Sequence, residues 1–457
     1  MLTYQDYEKA PNRVEFLARL INEHMGSRDY QTARDADRYD RQQNVTINRV
    51  ADIFKSDDGR YSARICCNEF FMLNTGRVAY LLGNGVSFNT SEMRLNERGY
   101  MVPVDTVKEK LGSAFDEAVY RWARYALIHG ISFGFWDMDH LRVYPLTQFA
   151  PLWDENTNTL RAGARFWRID PQKPMWVELY EEDGMTTYRS REGTTGFDLV
   201  EAEPKRAYVR TVFSTDAVGV IAEEGENYGD FPVVPMYGSS LHQSTLIGMR
   251  EWIDAIDMVA SGFARDMRDC TKIYWLIQNC GGMNREERLQ FLDEINTDHI
   301  AQVDTKSFSG DARGALSPYV QDVPYQGNAA FLSYARAQLY ENFGAVDVHT
   351  ISAGATNDHI DAAYQPMDNV VDDFETEVTK GIKGILRLMG IDDTPRYKRN
   401  RVSNMKEQIE AVMLEANYLD EETMLDKLPN ITVDEKAAIL ARRDREAGEI
   451  IVPNDRK

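Results

Sequence analysis

The chain has 457 residues, 43% hydrophobic and 27% charged, which is enough for more than one domain with ample buried core. Its formal net charge of −21 repels nucleic acid on average and speaks against a tight sequence-specific DNA binder, while leaving room for a surface past which DNA slides without sticking. No apolar run approaches the roughly 20 residues that span a bilayer, so no membrane contact is expected.

The N-terminal MLTYQDYEKAPNRVEF carries no signal-peptide core, which points to a protein made and assembled in a cytoplasm. Residues 14–60 read as helices with polar linkers: VEFLARLINEHM is amphipathic, and TARDADRYDRQQN is a charged stretch expected on a surface. From Ile65 a helical apolar pattern runs into the turn Gly83-Asn84-Gly85. A phosphate-cradling loop needs further glycines, or a Lys-Ser/Thr pair, ahead of a helix. Here the glycines lead into VSF, a strand pattern, and a plain turn is expected. FDEAVYRWARYALIH, residues 115–129, is amphipathic and stops at Gly130. Residues 130–238 alternate aromatic and polar residues and read as a meandering antiparallel sheet. Within it, Trp176 to Arg189 forms a hairpin about Asp183-Gly184. The tryptophans gathered in and before this region, Trp122, Trp136, Trp153, Trp167 and Trp176, are read as core rather than as a carbohydrate platform.

The stretch 244–280 contains no proline, and Trp252, Ile256, Val259, Phe263 and Met267 recur at steps of four, three, four and four. That spacing draws one stripe down a helix. Helical throughout, it would reach about 50 Å at 1.5 Å per residue, long enough to join two bodies; the alternative is a long core helix of a large α/β domain. The other faces carry Asp254, Asp257, Arg265, Asp266, Arg268 and Asp269, with Arg265 and Asp269 one turn apart and able to pair. Gly281-Gly282 breaks the pattern, Asn284 caps NREERLQFLDEI, and IAQVDTKSF and SGDARGALSPYV are strand-like. GNAAFLSYARAQLYENFG is a second helix, so two antiparallel legs carry a small foot. HTISAGATND is then a polar loop with little to bury. Downstream, Val370, Phe374, Val378, Ile382, Ile385 and Met389 keep a helical stripe that Pro366, Gly381 and Gly384 weaken, giving a long, bent helix. The tail is helical in three pieces, with Asp420 capping one, Thr432 and Glu435 at capping-box spacing for another, and VPNDRK frayed.

Chemistry is hard to find. Cys66, Cys67, Cys270 and Cys280 fit neither a disulfide framework nor a zinc site, and the seven histidines stand in no metal-ligand spacing, so no metal is expected. There is no GxSxG elbow and no Walker loop. Asp372, Asp373, Glu375 and Glu377 form a carboxylate cluster on one helix, read as a solvated face because acid/base work needs carboxylates that face each other across a cleft. No catalytic residue and no cofactor is expected, and nothing recommends an enzyme.

Larger segments are more informative. YLLGNGVSF stands near the front, followed by ALIHGISFGFWDMD with APLWDENT and ARFW downstream, and by FPVVPMYGSS leading into REWIDAIDMVASGFARDM. The helix, loop and bent helix of 328–390 and the terminal YLDEETMLDKLPNITVDEKAAIL come next. In order and spacing the chain resembles the portal proteins of tailed bacteriophages, in the SPP1-like portal family. One departure is that AGATNDHIDAA stands where the family often has a Ser-Gly-x-Ala element after the loop.

The resemblance implies an α+β portal fold. Its parts would be a mixed α/β wing (1–243), a stem helix (244–269), a small α/β clip (270–324) and a second stem helix (325–346). A tunnel loop (347–358), a bent helix returning to the wing (359–399) and a helical C-terminal crown (400–457) would follow. It also implies a homo-oligomeric ring of about twelve subunits at one vertex of the capsid, as closed cyclic symmetry allows. Double-stranded phage DNA would pass through the channel, held non-specifically. The large terminase and the head-tail adaptor would dock on the ring, which would sit among the major capsid and scaffolding proteins. His349, Thr350, Ile351, Ser352, Thr356 and Asn357 would face the DNA, Lys306 and Arg313 would make clip contacts, and Arg265, Asp266, Arg268 and Asp269 would line the stem interface. The alternatives are another virion structural protein, an adaptor or scaffold, and a soluble enzyme with an internal long helix.

Overall fold

A computed structural model of the protein describes residues 2–50, 64–95, 101–191, 198–214, 221–269, 274–278, 284–286, 289–290, 293, 315–319, 325–347, 356–401, 405–416, 418–428, 431, 435–436 and 438–443. The chain is α+β, as expected, and divides into two units. One is Met1–Val45 with Asn68–Ile253 and Gln338–Lys457; the other is Thr46–Cys67 with Asp254–Ala337.

In the first unit the amphipathic segment before Gly130 is the helix Phe115–His129, burying Phe115, Val119, Trp122, Ala126 and Leu127 on one face. The predicted hairpin is present, Trp176–Glu181 pairing antiparallel with Gly184–Ser190. It belongs to a five-stranded antiparallel meander whose other members are Phe149–Trp153, Leu160–Trp167 and Leu199–Arg206. Leu17, Leu20 and Ile21 of the helix Arg13–Gly26 join Leu152, Ala162, Ala164, Val177 and Leu179 of this sheet in one apolar core.

Residues 130–238 are not one sheet, however. Ile131–Trp136 pairs with Leu141–Pro145 on one side and with Val233–Tyr237 on the other, so Val233 lies opposite Phe135. Val209–Ser214 and Ile221–Glu226 form a separate hairpin. Alternation of side chains marks a strand but carries no information about its partner. Trp122 and Trp136 are fully buried core residues.

The charged stretch near the N-terminus also differs from expectation. It lies in the helix Arg28–Asp40, which buries Tyr30, Ala33, Ala36 and Tyr39. Its carboxylates are engaged: Asp35 with Arg250 at 3.0 Å, Asp37 with the Nε2–H of His129 at 2.8 Å and Asp40 with Arg124 at 2.5 Å. Small and aromatic residues every third position suffice for a buried stripe even when charges outnumber them.

Downstream, Asn357–Leu388 is one helix of 32 residues, continuous through Pro366. Ile360, Tyr364, Met367, Val371, Phe374, Val378, Ile382 and Ile385 are its buried stripe. Gly381 and Gly384 mark its closest approaches rather than weak points. A Cβ on Gly381 would stand 2.7 Å from Met236 Cε and 3.2 Å from the Trp122 ring, and one on Gly384 would stand 2.5 Å from Val234 Cγ1. The strand after the Gly83-Asn84-Gly85 turn is Val86–Ser87, paired with Arg396–Tyr397. The tail contains the helices Met405–Glu415 and Glu421–Lys427, and Asp420 caps the second by accepting from the Thr423 N–H at 3.2 Å. Thr432 lies outside the described residues.

Among the described residues the long stretch from 244 is helical over Arg250–Asp269, 20 residues or about 30 Å. Residues 245–249 are turn, with Gly248 at φ 83°, and Tyr274–Gln278 is a strand paired with Ala315–Tyr319. In the second unit, Asp254 and Asp257 are not on a free outer face. Asp257 is 1% exposed and accepts the Cys67 N–H at 2.7 Å. Asp254 accepts the Thr46 hydroxyl at 2.7 Å, and Ser261 Oγ accepts the Ile65 N–H at 3.0 Å. At steps of three and four, these residues form a polar stripe that holds residues 46 and 65–67.

Candidate functional site: the root of the 344–356 segment

The expected channel loop lies between the helices Tyr325–Phe343 and Asn357–Leu388. The first helix ends in a motif that satisfies its last carbonyls: the Gly344 N–H donates to Glu341 O at 3.0 Å and the Ala345 N–H to Tyr340 O at 2.9 Å. Such an ending requires a left-handed residue, and Gly344 sits at φ 67°. A Cβ there would also meet Val370 Cγ2 at 2.8 Å, so the turn lies against the following helix.

The C-terminal carbonyl of that first helix is held by a residue far away in sequence. Arg77, on the helix Glu69–Leu82, donates from Nη2 to the Phe343 carbonyl, and its guanidinium lies 3.8 Å from the centre of the Phe343 ring. Arg77 is only 6% exposed, and its Nε has no partner among the described residues. Burial pulls its pKa down to about 10, against an opposing attraction from Asp373. What neutralises the cation at close range is the negative end of a helix dipole and an aromatic face.

At the far end of the segment the residues expected in the loop begin a helix instead. Thr356 is its extended N-cap, and the Ile360 N–H donates to the Thr356 carbonyl at 3.0 Å; Asn357 is the first helical residue. His349, Thr350, Ile351 and Ser352 lie outside the described residues, as do Lys306 and Arg313. Arg265 and Asp266 approach to 4.0 Å, each about two-fifths exposed, a contact worth little by itself. Arg268 and Asp269 lie in the same helix, with side chains outside the described residues.

The carboxylate cluster of the long helix is engaged rather than simply solvated. Arg399 contacts Asp368 and Glu375 at 2.9 Å each, and Asp372 as well. Arg401 contacts Asp361 at 2.8 Å and also Asp368, and its Nε donates to the Tyr80 hydroxyl at 2.6 Å. The Tyr80 hydroxyl donates to Asp368 at 2.7 Å. Burial, followed by that hydrogen bond, pushes the Tyr80 pKa up to about 12. Asp373 accepts the Ser240 N–H at 2.9 Å, and buried Glu377 pairs with Lys380 at 2.7 Å. Acids along one helix face, from Asp361 to Glu375, stand where about four turns can be stapled by two arginines from one short stretch of chain.

Sequence reasoning missed Arg77 and the Asp368, Arg399 and Arg401 network. Arg77 had a signal: it stands four residues after Leu73 and four before Leu81, on the stripe of a helix that is otherwise apolar there. The network had none, because its arginines and acids are 24 to 40 residues apart and Tyr80 precedes Asp368 by 288.

A separate cavity of about 650 Å³ is lined by His24, His129, His242, Trp153, Tyr237 and others. Two of its histidines are committed, His24 Nε2–H donating to the Leu146 carbonyl at 2.9 Å and His129 to Asp37. Burial pulls the His24 pKa down, against the Leu146 carbonyl that accepts from it. Among the described residues no group of three His, Cys, Asp or Glu could hold a metal ion.

Known proteins give this geometry its context. The chain is 27% identical over 186 residues to the portal protein of Clostridium phage phiCD119 (strain Clostridium difficile/United States/Govind/2006), a match covering 39% of this chain and 40% of that protein. It is 21% identical over 399 residues to the portal protein of Bacillus phage SPP1, covering 82% of this chain and 74% of that one. The chain thus spans less than half the length of the first relative and about three-quarters of the second. Among solved structures, a chain in the neck of a native GTA particle computed with C12 symmetry is 10% identical with a TM-score of 0.37, covering 84% of this chain and 93% of that one. A chain in the neck of an empty GTA particle computed with C6 symmetry is 8% identical with a TM-score of 0.38, covering 80% and 88%. The family described as phage portal protein, SPP1 Gp6-like, matches residues 21–449, and over so much of its length the chain belongs to that family.

Proposed function

We propose that the protein assembles into a ring at one vertex of a phage capsid, and that double-stranded DNA passes through the ring during packaging and ejection. The observation that carries this is the family match over residues 21–449. The ring would form in the host cytoplasm and remain in the virion, with the large terminase and later the head-tail adaptor docking on it. The role is structural rather than catalytic.

Physical arguments support the proposal. Closed cyclic symmetry turns a short segment into a collar of about twelve copies. His349, Thr350, Ser352, Thr356 and Asn357 offer phosphates neutral hydrogen-bonding groups without a strong electrostatic trap, and a chain of net charge −21 discourages adhesion. Native mass measurement of the purified assembly is expected to give a closed ring of about twelve chains; a single-chain particle would overturn the proposal in favour of an enzyme or adaptor. Thr350→Lys with Ser352→Lys is expected to cut the yield of packaged genome on the order of tenfold, because new cations hold phosphates, while ring mass is unchanged. Unchanged packaging would remove the 347–358 segment from the channel.

A further inference from the structure

We propose that Arg77 is a positioning residue for the channel segment, fixing the point at which the chain leaves the helix Tyr325–Phe343. This rests on the reading that the segment beyond Gly344 meets DNA, and it concerns a residue more than 260 positions away from it. A buried guanidinium is costly unless it is paired, and the usual partner is a carboxylate. Arg77 instead faces a backbone carbonyl at a helix C-terminus and the ring of the residue that bears it. Both contacts depend on the position of one residue, Phe343, and both are lost together if the last helical turn unwinds or shifts. A carboxylate partner could follow such a shift by a change of rotamer, whereas a carbonyl and a ring on the same residue cannot.

The next residue makes the fixed point directional. Gly344 is left-handed and packed against Val370, with the Pro366 carbonyl 3.3 Å from where its Cβ would stand. The root of the segment is therefore held by two elements: the helix Glu69–Leu82, through Arg77, and the helix Asn357–Leu388, through Pro366 and Val370. Arg77 is itself buried, about one turn from buried Leu73 on one side and buried Leu81 on the other along its own helix.

The test is hydrogen exchange on the assembled ring, read at amides 342–347, together with packaged genome yield. Arg77→Met keeps the aliphatic bulk and removes both contacts. It is expected to speed exchange at those amides about tenfold, the size of one lost charge-assisted hydrogen bond, with exchange in the strands 149–206 unchanged. Packaging is expected to fall with it. Arg77→Lys keeps a donor and a charge but not the planar face, and is expected to restore part of the protection. Should Arg77→Met fail to assemble, Arg77→Lys and Phe343→Leu carry the same test, each expected to loosen amides 342–347 ahead of the rest. Unchanged exchange at 342–347 in the variants would overturn the positioning role whatever packaging does. Faster exchange with undiminished packaging would keep the anchor and overturn the channel reading beneath it.

Discussion

Trp122→Ala is expected to lower the free energy of unfolding by about 4 kcal/mol, within the range for deleting a fully buried aromatic. Trp122 is 0% exposed. Its ring is the surface on which two other elements close: a Cβ on Gly134 would come within 2.7 Å of it, and one on Gly381 within 3.2 Å. Both neighbours are glycines because the ring occupies the space a side chain would need. The cavity left by alanine therefore cannot be filled from those positions, and the helix Asn357–Leu388 loses part of its seat near Phe374, Val378 and Ile382. Trp122→Phe provides the control. The indole Nε1–H is buried without a partner among the described residues, so phenylalanine removes an unsatisfied donor as well as volume. Relief of that donor, about 1–3 kcal/mol, offsets much of the smaller cavity, and the cost is expected to be near 1 kcal/mol. Denaturant titration followed by far-ultraviolet circular dichroism measures both variants. A loss under about 1.5 kcal/mol for alanine, or equal losses for both, would show that the ring is not the seat of the helix.

These packing relations explain what could be read in advance. The helix Phe115–His129 and the repeat Phe374, Val378, Ile382 and Ile385 were legible because apolar side chains repeat with the helical period and a glycine follows the first; at the start of the repeat it is Val371, not the expected Val370, that is buried. The hairpin at 176–190 was legible because a short turn between alternating strands leaves one pairing open. The partner of Ile131–Trp136 was not, because Val233–Tyr237 arrives after about a hundred residues and no local pattern records the register. Glycines mislead for a related reason. In isolation Gly381 and Gly384 lower helix propensity, and only the positions of Met236, Trp122 and Val234 show why a side chain is missing there. Charges mislead most. Asp35 and Asp372 looked like a solvated surface and Asp257 like one more charge off the apolar stripe of its helix, yet each has a partner from another part of the chain. The two helices on either side of the polar stretch after Phe343 were legible, whereas Arg77, which contacts Phe343 at the end of the first, was visible only as one arginine on an apolar stripe.

The Asp368 carboxylate should be the most consequential charge in the first unit, and Asp368→Asn is expected to cost about 2 kcal/mol at neutral pH, between the values for exposed and buried pairs. It accepts from Arg399, Arg401 and the Tyr80 hydroxyl, and its side chain is 19% exposed. Burial raises its pKa, but the hydrogen bonds from Tyr80, Arg401 and Arg399 outweigh that and hold it below the ordinary carboxylate value. A carboxyl depressed in the folded state stabilises fully above its unfolded pKa, near 3.9, and loses that contribution as pH falls through the lower folded value. Wild-type stability should therefore fall steeply below about pH 4, and the asparagine variant, already lacking the contribution, should show a shallower acid limb. Arg399 and Arg401 retain Asp372, Glu375 and Asp361, which keeps the loss from reaching that of a fully stranded pair. A double-mutant cycle with Arg401→Gln distinguishes a true node from general charge removal: coupling above about 0.5 kcal/mol is expected, and strict additivity would count against it. The two arginines stand where the chain leaves the long helix for the helices Met405–Glu415 and Glu421–Lys427. Loosening should accordingly appear first in hydrogen exchange at 396–401, and a variant that opened elsewhere first would place the control of that exit on the Val86–Ser87 pairing instead.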